Sequence, residues 1–207
     1  MVATAALAAG TIAPEKQSGT WPLLLTTPLS DWEILWAKVR CVWWKTWLIW
    51  AALSGHALTF SLFRILHPIV VVHMAMLAGS VVVLFTGVGL YFSARLRRTT
   101  SAVLATMAVP IVLWLVVPAM LALAGTIAEL DGHLNRTYAS LNPLVQASVV
   151  AAGAVVQGSA RPLYDWPKGE TGMGATTWLL LKSALAYAGI GVLAAWHAKR
   201  LFRRTVF

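Results

Sequence analysis

Between Pro68 and Ser93 the chain carries no Asp, Glu, Lys or Arg, and the same holds from Ser101 to Gly125. Runs of this length limit the fold more than any other feature of the sequence, because a transmembrane helix needs about 20 consecutive apolar residues. Val42–Phe63 and Thr177–Ala198 are of similar length and hold one lysine each. Four membrane spans are therefore expected, at 42–63, 68–93, 101–125 and 177–198, and the fold class is an all-α polytopic membrane helix bundle. Composition agrees. The chain is 59% hydrophobic and 11% charged, against about 25% charged in soluble domains, and a soluble core could not absorb so much apolar surface. Pro110 and Pro118 interrupt the third span. Membrane helices tolerate proline where neighbours satisfy the freed carbonyls, and they tend to kink there.

The net charge of +9 would suit nucleic acid, but the positions of the cations argue against that partner. Arg95, Arg97 and Arg98 follow one apolar span, and Lys199, Arg200, Arg203 and Arg204 follow another. Such clusters mark cytoplasmic ends and suit anionic headgroups, so membrane lipids are expected partners. With Lys16, Lys38, Arg40 and Lys45 also inside, the 94–100 loop and the 199–207 tail are cytoplasmic. Arg64, Arg136, Arg161 and Lys168 are then outside, where Glu129, Asp131, Asp165 and Glu170 accompany the last three. The expected location is the plasma membrane, with a cytoplasmic C-terminus. The single cysteine, Cys41, excludes an intrachain disulfide and gives no Cys/His metal framework. Its simplest reading is a small buried residue.

The segment 126–176 reads as an external region. Within it, Pro143–Gln157 is apolar, but as a helix it spans only about 22 Å against a hydrocarbon core of about 30 Å. It is expected to be an external or re-entrant helix, capped by Asn142, opened by Pro143 and stopped by Gly158. The N-terminal Val2–Gly10 is apolar, too short to span, and lacks the positive region of a signal peptide. It reads as the end of a membrane helix (residues 1–11) whose earlier part is missing from this chain, or as a short helix packed inside the bundle. Trp43, Trp44, Trp47, Trp178 and Trp196 sit at span ends, where tryptophan anchors helices. The other reading of these aromatics is a stacking platform for an amphipathic substrate.

Ile12–Lys38 is a polar island between apolar segments. Gly19-Thr20 reads as a turn and helix start, with Thr20 as the cap and Pro22 in the first turn. Trp21, Leu23, Leu24 and Leu25 make a short apolar helix that ends before Pro28. Ser30 and Glu33 form a capping-box pattern for a second helix leading into the membrane. The short helix would lie across the cytoplasmic face, with Glu15 and Lys16 as charged entry residues. Its apolar side fits either a groove in a partner protein or the headgroup layer.

Glu15-Lys16, Gly19-Thr20, Leu23–Leu25, Thr27-Pro28, Glu33-Ile34 and Lys38 follow, in order and spacing, the pattern E-[KR]-x-x-G-T-…-L-L-…-[ST]-P-…-E-[IL]-…-K. This resembles the cytoplasmic loop of permease subunits of type-2 ABC exporters. Gly87–Thr100, with Leu113-Trp114 in the next span, resembles the family's G-L-x-x-S-x-x-x-[RK] turn, and Asn142-Pro143 a common feature of its outer region. Trp21, Pro22 and Ala37 depart from the residues usual in the family. The resemblance implies that 12–38 is a coupling region in which Glu15–Thr27 docks on a cytoplasmic ATP-binding subunit. The helix Pro28–Lys38 would carry the motion of that subunit into the spans. It also implies a second permease copy or paralogue, a bacterial inner-membrane location, and a first span and part of a second absent from this chain.

Other chemistry is sparse. No G-x-x-x-x-G-K-[ST] loop is present, so no cofactor is expected on this chain and ATP would be bound by the partner subunit. Gly169–Gly174 reads as a flexible turn before the last span. His73, Met74 and Met76 suggest a soft metal, but only His73 and Met76 share a helix face, and polar packing is the simpler reading. His56, Lys45 and Lys182 read as end anchors. Glu129, Asp131 and His133 support a competing hypothesis, a membrane-embedded enzyme. A non-transporting scaffold or truncated permease is the third.

Overall fold

The computed structural model describes residues 2–127, 132–154 and 164–201. The helices are α1 Val2–Ala9, α2 Ala13–Gln17, α3 Trp21–Leu25, α4 Asp31–Leu62, α5 Pro68–Arg95 and α6 Thr99–Ile111. A π-helical turn, Val112–Val116, leads into α7 Val117–Ile127. Then come α8 His133–Leu141, α9 Pro143–Ala154 and α10 Met173–Leu201, with a two-stranded antiparallel hairpin, β1 Tyr164–Trp166 and β2 Gly169–Thr171, before α10. The protein is thus an all-α membrane helix bundle carrying one small hairpin. Three stretches, Pro68–Arg95, Thr99–Ile127 and Met173–Leu201, are long and apolar enough to cross a membrane. The expected span 42–63 lies, but for Phe63, in the second part of α4, which is not among those three. Its tryptophans, Lys45 and His56 dilute the aliphatic content that the other helices have.

The chain divides into two compact units. The first comprises Met1–Trp50, Ser80–Val109 and Ala186–Phe207. Its core joins Ile12, Trp21, Ile34, Leu35, Val39, Leu90, Ala94 and Ala198. Here α5 and α10 touch backbone to backbone at Gly87 and Gly191. A Cβ built on Gly87 would overlap the Gly191 carbonyl, and one on Gly191 would lie 2.5 Å from the Val83 carbonyl oxygen. Small residues permit this approach, and it replaces the hydrophobic drive that lipid cannot supply. Helix α1 packs likewise, its Ala8 against Gly89 of α5, with Thr4, Ala5, Ala8 and Ala9 buried. Cys41, expected to be buried, is exposed. It lines an open groove with Trp36, Ala37, Arg40 and Trp44.

The second unit comprises Ala51–Gly79 and Pro110–Leu185. The expected external region contains α8, which the sequence reading had not separated from its surroundings, together with α9 and the hairpin. Asn142 caps α9 by accepting the Leu144 amide at 2.9 Å, and Pro143 opens the helix. The expected helix end Gln157 and stop Gly158 lie outside the described residues, as do Glu129, Asp131, Arg161, Arg203 and Arg204. Gly169–Gly174, read as a flexible turn, is instead β2 followed by the start of α10. Pro167 presets the first turn position, and Gly169 supplies φ +114°. The strands are held by buried Tyr164 and Trp166, and the Trp166 indole donates to Thr176 Oγ1 at 3.0 Å.

Pro118 shows how an interrupted span is made sound. It has no amide for the Trp114 carbonyl, and the Val117 amide turns to Val112 rather than Leu113. Two carbonyls are thereby released from α-helical pairing. Asn142 Nδ2 donates to Trp114 O at 2.8 Å, and the Tyr138 hydroxyl donates to Leu113 O. Side chains of α8 and of the α8–α9 joint supply the donors that the helix has lost.

Candidate functional site

The island 12–38 forms α2, α3 and the start of α4, and Ser93 of α5 orders its beginning. The Ser93 hydroxyl accepts the amides of Ile12 and Ala13, both at 2.9 Å, and all three residues are buried. These are donors that a helix N-terminus leaves unpaired, so Ser93 caps α2 from another element. In return, Lys16 of α2 donates to the Ala94 carbonyl, one of the acceptors left over at the C-terminal end of α5. Burial, and then the charge of Arg97, hold the Lys16 ammonium below its ordinary pKa. Its cation also stands 5.8 Å from the centre of the Trp21 ring. Glu15 Oε1 pairs with Lys38 of α4, while Glu15 Oε2 is buried without a hydrogen-bond partner among the described residues. Helix α2 is therefore tied to both α4 and α5.

Glu15 and Lys16, the expected charged entry residues, both find partners within the unit. Partners 23 and 78 residues away turn them toward the bundle. Helix α2 itself went unrecognised, because Pro14 and two charges in a short stretch look like loop. Gly19, at φ +75°, ends it. The Gly19 amide bonds the Lys16 carbonyl at 3.3 Å and the Thr20 amide bonds the Glu15 carbonyl at 2.9 Å, the paired bonds of a Schellman motif. Nothing would meet a Cβ at Gly19, so backbone conformation alone sets the cost of substitution. Gly19→Ala is expected to destabilise the protein by about 1 kcal/mol. Gly19→Asn should recover part of that, and thermal melts in detergent would measure both.

Thr20 occupies the position before α3 but does not cap it. Its backbone is already helical and its hydroxyl points back to the Glu15 carbonyl at 3.3 Å. Pro22 has no amide to offer such a cap. Within α3, Trp21 is buried and Leu24 packs partly against the same core. Leu25 closes the helix. Leu23 is 69% exposed. Beyond it, Thr27 and Pro28 are exposed, the Thr27 hydroxyl donating to the Leu24 carbonyl at 2.6 Å. The capping box is formed. Glu33 Oε2 accepts from both the Ser30 amide and the Ser30 hydroxyl at 2.7 Å, and the Glu33 amide returns a bond to Ser30 Oγ at 3.3 Å. The amide first, and then the hydroxyl, hold the Glu33 carboxyl below its usual range. Ten of the eleven motif residues thus separate into two groups. Glu15, Lys16, Gly19, Thr20, Leu24, Glu33 and Lys38 build and fasten the region. Leu23, Thr27 and Pro28 stay on its surface.

The chain matches the family model of the ABC-2 family transporter proteins over residues 1–204. It belongs to that family. No curated protein matches it. This ABC-2 family transporter protein is accordingly a membrane subunit of an ABC transporter, a component that is generally not itself catalytic. Ser93 was within reach of the sequence as the serine of the Gly89-Leu90-x-x-Ser93 turn, but its partner Ile12 was not.

The competing sites fare differently. His73 is buried, and both of its ring nitrogens meet hydroxyls, Tyr164 at 3.0 Å and Thr177 at 2.8 Å. It ties α5 to β1 and α10 within the second unit. Met74 and Met76 pack against the apolar cluster beside it. Among the described residues no group of three or more His, Cys, Asp or Glu could hold a metal. His133 opens α8, while its proposed companions Glu129 and Asp131 lie outside the described residues. Lys182 stands 5.0 Å from the centre of the Trp178 ring, and His56 meets Phe60 edge-on at 4.8 Å.

Proposed function

We propose that this subunit passes the work of ATP hydrolysis, performed on a separate cytoplasmic ATP-binding subunit, to a translocation path through the membrane, and that it acts as an exporter. The observation that carries the proposal is the division within α3. Trp21 is buried in the core, while Leu23, two residues on, stands 69% exposed. An apolar side chain presented from an anchored helix suits a pocket in a partner. Glu15–Thr27 would dock, with Leu23, Thr27 and Pro28 in contact. The push would travel by two routes: through Glu15–Lys38 and the capped start of α4, and through Ser93 and Lys16 into α5. ATP would bind only to the partner. A second copy or paralogue completes the transporter, and the exposed apolar side chains Ile111, Leu115, Met120 and Leu123 support such an association. The lysine and arginine distribution supports a cytoplasmic C-terminus, and the resemblance of the 12–38 motif supports a bacterial inner-membrane location.

The test is a detergent pull-down of the native complex. Leu23→Asp should lower affinity for the ATPase subunit by at least about 30-fold, the scale of a hot-spot loss of about 2 kcal/mol, while the protein stays monodisperse. Full retention of the ATPase by Leu23→Asp would refute docking through α3.

A further inference from the structure

Five tryptophans and one arginine share a single face of α4. At about 100° per residue, Trp32, Trp36, Arg40, Trp43, Trp44 and Trp47 fall within about one third of the helix circumference. All six are exposed, Trp44 at 74%. Trp36 and Trp43 meet edge-on at 6.5 Å, and Trp44 and Trp47 lie 6.1 Å apart. The Trp43 indole donates to Thr86 at 3.4 Å, which fixes that ring against α5. Two adjoining open grooves, of about 550 and 280 Å³, run along this face and share Trp36, Arg40 and Trp44.

Arg40 is the anomaly. It cannot lose its charge, and no ion pair or hydrogen bond to it is formed among the described residues. Glu33 lines the same groove but is committed to Ser30. An arginine at the edge of hydrocarbon is costly unless it meets an anion or water. A second copy of this unit would have to supply a carboxylate. The unit's described acids are Glu15, Asp31 and Glu33; Glu15 is bound to Lys38, and Asp31 is already engaged. An anion that comes with its own apolar body suits both the guanidinium and the exposed indoles beside it.

We propose that this face binds an anionic phospholipid, with its phosphate on the Arg40 guanidinium and its acyl chain along Trp36, Trp43, Trp44 and Trp47. Guanidinium suits phosphate because its donors form a planar fork. Indole suits the remainder because it is apolar with one N–H, the combination favoured where chains meet headgroups. The proposal rests on α4 entering the bilayer, as the proposed function requires.

The test uses the full chain in vesicles, with tryptophan emission quenched by brominated lipid. Brominated phosphatidylglycerol should quench more effectively than brominated phosphatidylcholine. Arg40→Gln should reduce the apparent preference about five-fold, the worth of one basic residue near an anionic surface, whereas Arg64→Gln should leave it intact. Arg40→Lys, which keeps the charge but loses the fork, should fall between and serves also if Arg40→Gln is poorly folded. Equal quenching by the two lipids in the unmodified protein would overturn the anionic-lipid site while leaving α4 in the bilayer. With Trp36, Trp43, Trp44 and Trp47 as the only tryptophans retained, absence of quenching by either lipid would overturn the membrane placement itself. Displacement of the brominated anionic lipid by inorganic phosphate at millimolar concentration would assign the site to a free anion. Loss of self-association in Arg40→Gln without a change in lipid preference would assign the face to a second copy.

Discussion

Gly87→Leu is expected to prevent α5 and α10 from assembling, and even Gly87→Ala should lower stability markedly. The Gly87 Cα faces the Gly191 carbonyl with no room for a Cβ, and Gly191 faces the Val83 carbonyl and Leu84 Cα with equally little. The obstructing atoms are backbone, so no rotamer change relieves the overlap and the helices must separate. Overpacking commonly costs about 1–3 kcal/mol, and a backbone contact that cannot yield belongs at the top of that range for alanine and beyond it for leucine. Leu90 and Ala198 of the first core would lose their packing as the helices part. Gly79 and Gly189 provide internal controls, because nothing would meet a Cβ at either position. Gly79→Ala and Gly189→Ala should be neutral or slightly stabilising, since alanine is the better helix former by up to about 1 kcal/mol. The measurement is thermal stability of the monodisperse detergent-solubilised protein for the three alanine variants. Equal stability of Gly87→Ala and Gly79→Ala would contradict the close crossing.

These glycines show which parts of the molecule could be read in the sequence. Long apolar runs reveal α5, the 99–127 stretch and α10, because length and apolarity are local properties. The Ser30–Glu33 box and the Gly19 turn are also local and are formed by neighbours. Nothing near Gly87 distinguishes it from exposed Gly79, since the difference is made by α10. The same limit hid the inward pairing of Glu15 and Lys16. A charge in a polar stretch is ordinarily solvated, and only Lys38 and the Ala94 carbonyl make these two structural. Thr20 failed as a cap for a nearer reason, because its backbone is already helical and its hydroxyl turns to the Glu15 carbonyl. Pro118 announced an interrupted helix, but the π-turn depends on donors from Tyr138 and Asn142. Trp21 had no visible reason to be buried while Leu23 was exposed, although the functional proposal turns on that contrast.

Ser93→Ala is expected to loosen α2 and to weaken coupling in the transporter before it unfolds the bundle. One hydroxyl serves both the Ile12 and the Ala13 amides, across 81 and 80 residues of sequence. Ile12 and Ala13 are fully buried, so water does not replace the lost acceptor. A buried donor left unsatisfied costs about 1–3 kcal/mol, and two together come to roughly 2–6 kcal/mol. The cost falls on α2, which has only five residues and little stability of its own. Ser93→Cys retains a weak acceptor and should be intermediate. Hydrogen exchange is the direct measurement. Amides of residues 12–20 should exchange faster in Ser93→Ala, while those of Pro68–Arg95 keep their protection. In the assembled transporter the same variant should still bind the ATPase subunit through Leu23, yet substrate should stimulate ATP hydrolysis more weakly. Binding would persist because the exposed side of α3 is untouched, and stimulation would fall because the route into α5 is weakened while that through Glu15–Lys38 remains. Unchanged exchange across 12–20 would mean that the Ile12 and Ala13 amides find other acceptors, and that α5 receives the motion by way of Lys16 instead.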